Sequence, residues 1–173
     1  LREGLNSFPR FVDTGTIPFN AAQVYGAEAL VEWGPFSLQG EYVGMWIDQP
    51  QATGTYLHGA YLEGVWSLTG EKRVYVRELG IRQQAVPYSN FFLVDTVQGL
   101  CLGRGAWELG ARYSWIDLNT ADIAGGALQD LSLGLNWYLA LRTRWMLNYT
   151  HAILDRDQVT SHADIVSTRL QFN

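Results

Sequence analysis

Between Ala106 and Trp115 the chain alternates strictly between two kinds of side chain. Trp107, Leu109, Ala111, Tyr113 and Trp115 fall on one side of an extended strand, and Glu108, Gly110, Arg112 and Ser114 on the other. Leu131, Leu133, Leu135, Trp137 and Leu139 repeat the pattern against Asp130, Ser132, Gly134, Asn136 and Tyr138. Period-two runs bounded by turn residues predict seven strands, at approximately 24–33, 36–47, 56–69, 105–117, 129–139, 143–154 and 162–172. Helices fail on spacing, because apolar residues do not recur at i, i+3 and i+4 across 105–117 or 129–139. The connections at Gly34-Pro35 and Ala140-Leu141-Arg142 read as tight, whereas 48–55, 118–128 and 155–161 read as longer loops. One connection, 70–104, is far longer than any other and carries Pro87, Tyr88-Ser89-Asn90 and Gly99 as breakers; loops of that size are usually functional or disordered.

Alternation alone does not distinguish a soluble sandwich, whose apolar side is buried by protein, from a membrane barrel, whose apolar side is covered by lipid. Tryptophan placement favours lipid. Trp33, Trp46, Trp66, Trp107, Trp115, Trp137 and Trp145 all belong to the apolar set. Trp33, Trp66, Trp107, Trp137 and Trp145 gather at the strand ends joined by tight turns or by 70–104, and Trp46 and Trp115 at the opposite ends. Indole prefers the membrane–water boundary, so two such belts suit a barrel in a bilayer. The competing reading, a soluble antiparallel sandwich or closed barrel that binds a ligand or partner, requires those indoles to be covered by protein.

Composition agrees with a β structure rich in interfacial aromatics. The chain has 173 residues, 47% hydrophobic and 17% charged, with 18 glycines, 7 tryptophans and 9 tyrosines. No apolar run is long enough for a transmembrane helix. A net charge of −5 argues against general nucleic-acid binding. Cys101 is the sole cysteine, so neither a disulfide within the chain nor a thiolate metal site is expected. The start at Leu1 suggests a trimmed or partial chain.

Several blocks then carry a family resemblance: Pro9-Arg-Phe-Val-Asp-Thr-Gly15, Gly34-Pro-Phe-Ser-Leu-Gln-Gly-Glu-Tyr42, Ser67-Leu-Thr-Gly-Glu71, Gly105-Ala-Trp-Glu-Leu-Gly-Ala-Arg-Tyr113 and Leu133-Gly-Leu-Asn-Trp-Tyr138. In order and spacing the chain resembles the C-terminal part of a phosphate-selective porin O/P type channel. The resemblance implies an all-β fold, an antiparallel transmembrane β-barrel of 16 strands, of which these seven would be the last. It further implies residence in the cell outer membrane, a typically homotrimeric assembly, and passage of small hydrophilic solutes, with phosphate or polyphosphate for some members. On this reading residues 1–173 are one barrel domain, and 70–104 is an inter-strand connection able to fold into the lumen. The family ends on an aromatic residue. Here Thr168, Leu170 and Phe172 share a face and Asn173 follows, so a Phe immediately after Asn173 would restore the expected ending.

The wet face is where a channel does its chemistry. It bears Glu28, Glu32, Glu41, Glu63, Glu108 and Asp130 against Arg112, Arg144 and Arg169, six acids to three bases. Of these, Glu63, Glu108, Arg112, Asp130, Arg144 and Arg169 are the pore-lining candidates, with Arg112 and Arg144 expected to brace Glu108 and Asp130 across strands. An arginine ladder able to hand an anion from site to site is not evident. The 70–104 connection holds Lys72, Arg73, Arg77, Arg82 and Arg104 against Glu71, Glu78 and Asp95, five minus three, or a net of +2. Lys72, Arg73, Arg77 and Arg82 are therefore the constriction candidates. No catalytic residue, metal site or cofactor is expected: His58, His151 and His162 are far apart in sequence, and neither Ser114 nor Ser132 sits in an esterase elbow.

Overall fold

The computed structural model describes residues 11–50, 52–73, 75, 76, 81–97 and 99–172. Its main element is one antiparallel sheet of seven strands: β1 (Ala21–Trp33), β2 (Phe36–Gln49), β3 (Ala52–Ser67), β8 (Ala106–Asn119), β9 (Ala124–Ala140), β10 (Thr143–Arg156) and β11 (Val159–Phe172). Neighbours in the sheet follow chain order, with the short elements β4 (Tyr75–Val76), β5 (Ile81–Arg82), β6 (Phe92–Thr96) and β7 (Gly99–Gly103) set apart as two separate two-stranded ribbons between β3 and β8. The sheet is open, with β1 and β11 as its edges.

Register fixes which residues share a face. Trp33 pairs with Phe36 and Phe36 with Trp66. Trp66 pairs with Leu109, Trp107 with Trp137, and Trp137 with Trp145. Counting by twos from these pairs puts Trp46 and Trp115 on the same side, so all seven indoles share one face. On β3 the aromatic rows are marked by Tyr56 and Trp66. The ten residue steps from one to the other, at a rise of ~3.3 Å and a tilt of ~40°, span about 25 Å, the height of the apolar band of an outer-membrane barrel. Among the described residues, nothing packs over this face as a second protein layer. Trp33 is 83% exposed, and Leu38, Leu62, Leu109, Leu131, Leu133 and Val166 are exposed with it.

The strands run further than hydrophobic patterning foretold. The expected loops 48–55, 118–128 and 155–161 shrink to residues 50–51, 120–123 and 157–158, so that end of the sheet is as tightly turned as the other. Alternation records where lipid is, and it stops when a strand emerges from the apolar band. Backbone pairing does not stop there, as Asp117↔Ala127 and Asp155↔Ala127 show. Residues 12–20 cross this end of the sheet: the Asp13 amide donates to the Gly125 carbonyl at 3.0 Å and that of Asn20 to the Asp48 carbonyl at 2.9 Å.

At the other rim the connection from β3 to β8 is held at both ends. Leu68 N–H donates to the Trp107 carbonyl at 2.8 Å. Gly105, at φ +67°, passes so close to the Tyr138 carbonyl that a Cβ would collide with it. A side chain there would meet both an unfavourable backbone region and backbone oxygen, so only glycine lets β8 begin against β9.

Candidate functional site

The face opposite the tryptophans holds most of the charges of the wall. Glu28, Glu32, Glu41, Glu63, Glu108, Arg112, Asp130, Arg144 and Arg169 all fall on it by register. The described residues Arg73, Gln84 and Ala85 of the 70–104 connection lie against this face. Ala85 packs with Ala106 and Tyr138, all three fully buried, and Gln84 Nε2 donates to the Leu141 carbonyl at 2.7 Å.

Arg73 is the centre of the arrangement. Its Nε donates to Glu108 Oε2 at 2.7 Å, its Nη2 donates to Glu108 Oε1, and the same Nη2 reaches the Tyr138 hydroxyl at 3.1 Å. Asn136 Nδ2 donates to Glu108 Oε1 at 2.9 Å. Glu108 is only 1% exposed, and a bidentate guanidinium and an amide replace the water its carboxyl group has lost. Burial pulls the Arg73 guanidinium towards neutrality, but the adjacent Glu108 carboxylate outweighs it and leaves the cation more firmly protonated than usual. Beside it, buried Glu71 accepts from the Thr69 hydroxyl, and Thr69 Oγ1 accepts from the Trp107 amide at 2.9 Å. Tyr88 ties the returning chain down by donating its hydroxyl to the Gly70 carbonyl at 3.0 Å.

Two polar hollows flank Arg73. One, of about 220 Å³, is lined among others by Glu32, Ser37, Glu71, Lys72 and Glu108; the other, of about 240 Å³, by Glu63, Arg112, Ser132, Asn136 and Asn148. Farther along the same face lies a hollow of about 580 Å³ lined by Val43, Met45, Leu57, Ile116 and Leu118 with Glu41, Tyr61 and Arg112 at its edge. Sequence patterning assigned that face to water and missed this apolar stretch. Its signal is the break in alternation at Val43–Trp46, where both faces become apolar.

The expected cross-strand braces form with other partners. Arg112 faces Glu63, with 3.8 Å between Nη1 and Oε2, and lies 3.9 Å over the Tyr61 ring. Arg144 donates to Gln171 Oε1 from Nε at 3.2 Å and from Nη2 at 2.9 Å. Glu108 is taken by Arg73, while Asp130 accepts from the Ser114 hydroxyl and from that of Ser132 at 3.4 Å. Register explains the exchange, because Arg112 stands directly opposite Glu63 and Ser132, and Arg144 opposite Gln171 and Tyr138. Among the constriction candidates, Lys72 is exposed and Arg73 is engaged as described. Arg77 lies outside the described residues, and Arg82 is placed only as part of β5.

A polar cluster also occupies the tryptophan face on β10 and β11, which patterning did not single out. The Tyr149 hydroxyl donates to Asp164 Oδ1 at 2.7 Å, His151 Nδ1 lies 2.8 Å from the same oxygen, and the His162 ring stacks on that of His151 at 5.7 Å. Among the described residues no group of three or more His, Cys, Asp or Glu side chains is arranged to hold a metal ion.

Comparison with known proteins gives this geometry its context. The family described as phosphate-selective porin O and P matches residues 6–173. Porin O of Pseudomonas aeruginosa is 28% identical over 165 residues, covering 86% of this chain and 34% of that protein. The chain thus spans about a third of the length of this curated relative.

Proposed function

This chain belongs to the phosphate-selective porin O and P family, whose members are channels of the outer membrane, and on that premise we propose that it supplies seven consecutive strands of a closed 16-stranded barrel. The barrel passes small hydrophilic solutes by diffusion, anions of the phosphate class among them. The observation that carries this reading is the partition of the sheet: all seven tryptophans on one side, and on the other ten of the fourteen charged side chains of its strands. Lipid covers the first, the aqueous lumen wets the second, and closure satisfies the edges of β1 and β11.

Selectivity in this scheme is electrostatic. With Arg73 neutralised by Glu108, the cations that this part of the wall offers a passing anion are Lys72, at the first polar hollow, and Arg112, half-exposed at the second. The remaining wall is acidic, so strong phosphate preference would draw on strands upstream of β1. In the full-length protein, neutralising Lys72 and Arg112 together to Ala and Gln is expected to lower anion-over-cation permeability a few-fold, as read from the reversal potential in a salt gradient. An unchanged reversal potential would show that the connection and its neighbour do not line the conducting path.

The family resemblance also carries a trimer. The Tyr149–His151–Asp164 cluster supports placing a neighbouring subunit over β10–β11, since a carboxylate and an imidazole on an outward face are poorly matched to acyl chains.

A further inference from the structure

The second half of the long connection leaves the rim on the side that carries the tryptophans. Phe91 sets its ring edge-on to Trp137, centroids 4.5 Å apart, and its N–H donates to the Leu139 carbonyl at 2.7 Å. On the return, the Arg104 carbonyl accepts the indole N–H of Trp107 at 3.2 Å and of Trp137 at 2.9 Å. Those two indoles are themselves stacked, 4.7 Å apart. Between these anchors the β6–β7 hairpin pairs with no other strand among the described residues. Its register sets Leu93 opposite Leu102, with Leu100 two positions along on the same side. Leu100 is 70% exposed and Leu102 75%.

We propose that β6–β7 is a lipid-seated foot, lying against the headgroup–acyl boundary at the rim of Trp107 and Trp137 with its Leu93, Leu100 and Leu102 side towards the acyl chains. The proposal rests on the outer-membrane placement of the barrel and extends it to a segment outside the wall. A free two-stranded hairpin is marginal in water, and an apolar side of this kind is seldom left wet. Its base is continuous with the tryptophan belt, so the medium that meets the belt is the medium that meets the hairpin. The charged face is reached instead by Arg73 and Ala85, on the other side of the rim. Depth is limited by the backbone. The outer edges of both strands present amide and carbonyl groups that hydrocarbon cannot satisfy, and Asp95, paired with Leu100 and so on the leucine side near the tip, needs water close by. The hairpin therefore lies along the boundary and does not enter the bilayer core.

The test is collisional accessibility of a nitroxide in the full-length protein reconstituted in phospholipid vesicles. One label sits at Leu102→Cys in a background otherwise free of cysteine, and reference labels sit at Leu133→Cys in mid-wall and Ser132→Cys on the lumen face. The 133 label is expected to favour oxygen over a water-soluble nickel chelate strongly, the 132 label the reverse, and the 102 label to favour oxygen at a depth shallower than 133. A label on native Cys101, which leaves the hairpin sequence intact and faces the opposite side of the ribbon, should favour oxygen less than 102. Nickel access at 102 equal to that at 132 would place the hairpin in water and overturn the proposal. Low access to both reagents at 102 would mean that protein covers it, which overturns the proposal equally. If the 133 label itself behaved as aqueous, the lipid assignment of the whole tryptophan face would fail, an outcome separable from failure of the hairpin alone.

Discussion

Replacing Glu108 by Ala is expected to cost about 3 kcal/mol of stability and to release the infolded half of the connection. The carboxylate is fully buried and accepts from Arg73 twice and from Asn136 once. Deleting it strands a guanidinium whose side chain is only 21% exposed. Breaking such a pair from one side costs ~3–5 kcal/mol, and the lower end applies because Arg73 keeps some contact with water. Residues 69–88 lose their central tether, so limited proteolysis should cut within them in the variant and spare them in the parent. Arg73, no longer neutralised, should turn towards the pore and raise anion permeability. The double variant Glu108→Ala with Arg73→Ala should be more stable than Glu108→Ala alone, since it removes the orphaned charge with its partner. A double variant as unstable as the sum of the two singles would show that the pair does not act as a unit.

The second large effect contrasts two adjacent residues of β9. Leu133 lies on the tryptophan face, paired with Ala111 and Tyr149; Ser132 lies on the charged face, paired with Arg112 and Thr150. Leu133→Arg should destabilise the folded barrel in a bilayer by about 2–4 kcal/mol, the cost of an arginine facing lipid near mid-membrane. Ser132→Arg adds the same side chain one position away. It should fold with little penalty and shift the reversal potential towards anions, because it enters a hollow that already holds Glu63 and Arg112. Denaturant titration into and out of phospholipid vesicles, followed by tryptophan fluorescence, measures both. Equal penalties at 132 and 133 would contradict the assignment of faces.

How much of this was legible in the residues follows from what each pattern reports. Period two gave the side of every tryptophan and of the nine charges assigned from it, because a strand allows no other choice once its register is set, but it did not single out Asp164 on the tryptophan face. Strand ends were hidden: Gln49, Ala52, Gly125 and Gly126 carry no alternation, yet they extend the sheet through backbone pairing and tight turns. The partner of Glu108 was also out of reach. Arg112 lies four residues along the same strand and Arg73 thirty-five residues away in chain order, and only the path of the connection brings the latter in. The division of that connection at the rim does have a trace, since the charged stretch Glu71-Lys72-Arg73 gives way to Phe91-Phe92-Leu93-Val94 where the chain passes from the charged face to the tryptophan face.

Quenching of tryptophan emission by acyl chains brominated near the headgroup tests the central claim most directly, in reconstituted full-length protein whose indoles upstream of this region have been replaced by Phe. If Trp33, Trp46, Trp66, Trp107, Trp115, Trp137 and Trp145 ring the barrel at the membrane boundary, brominated lipid should quench most of their emission and aqueous iodide little of it. Emission untouched by brominated lipid, whether open to iodide or shielded from both, would mean that water or protein covers that face.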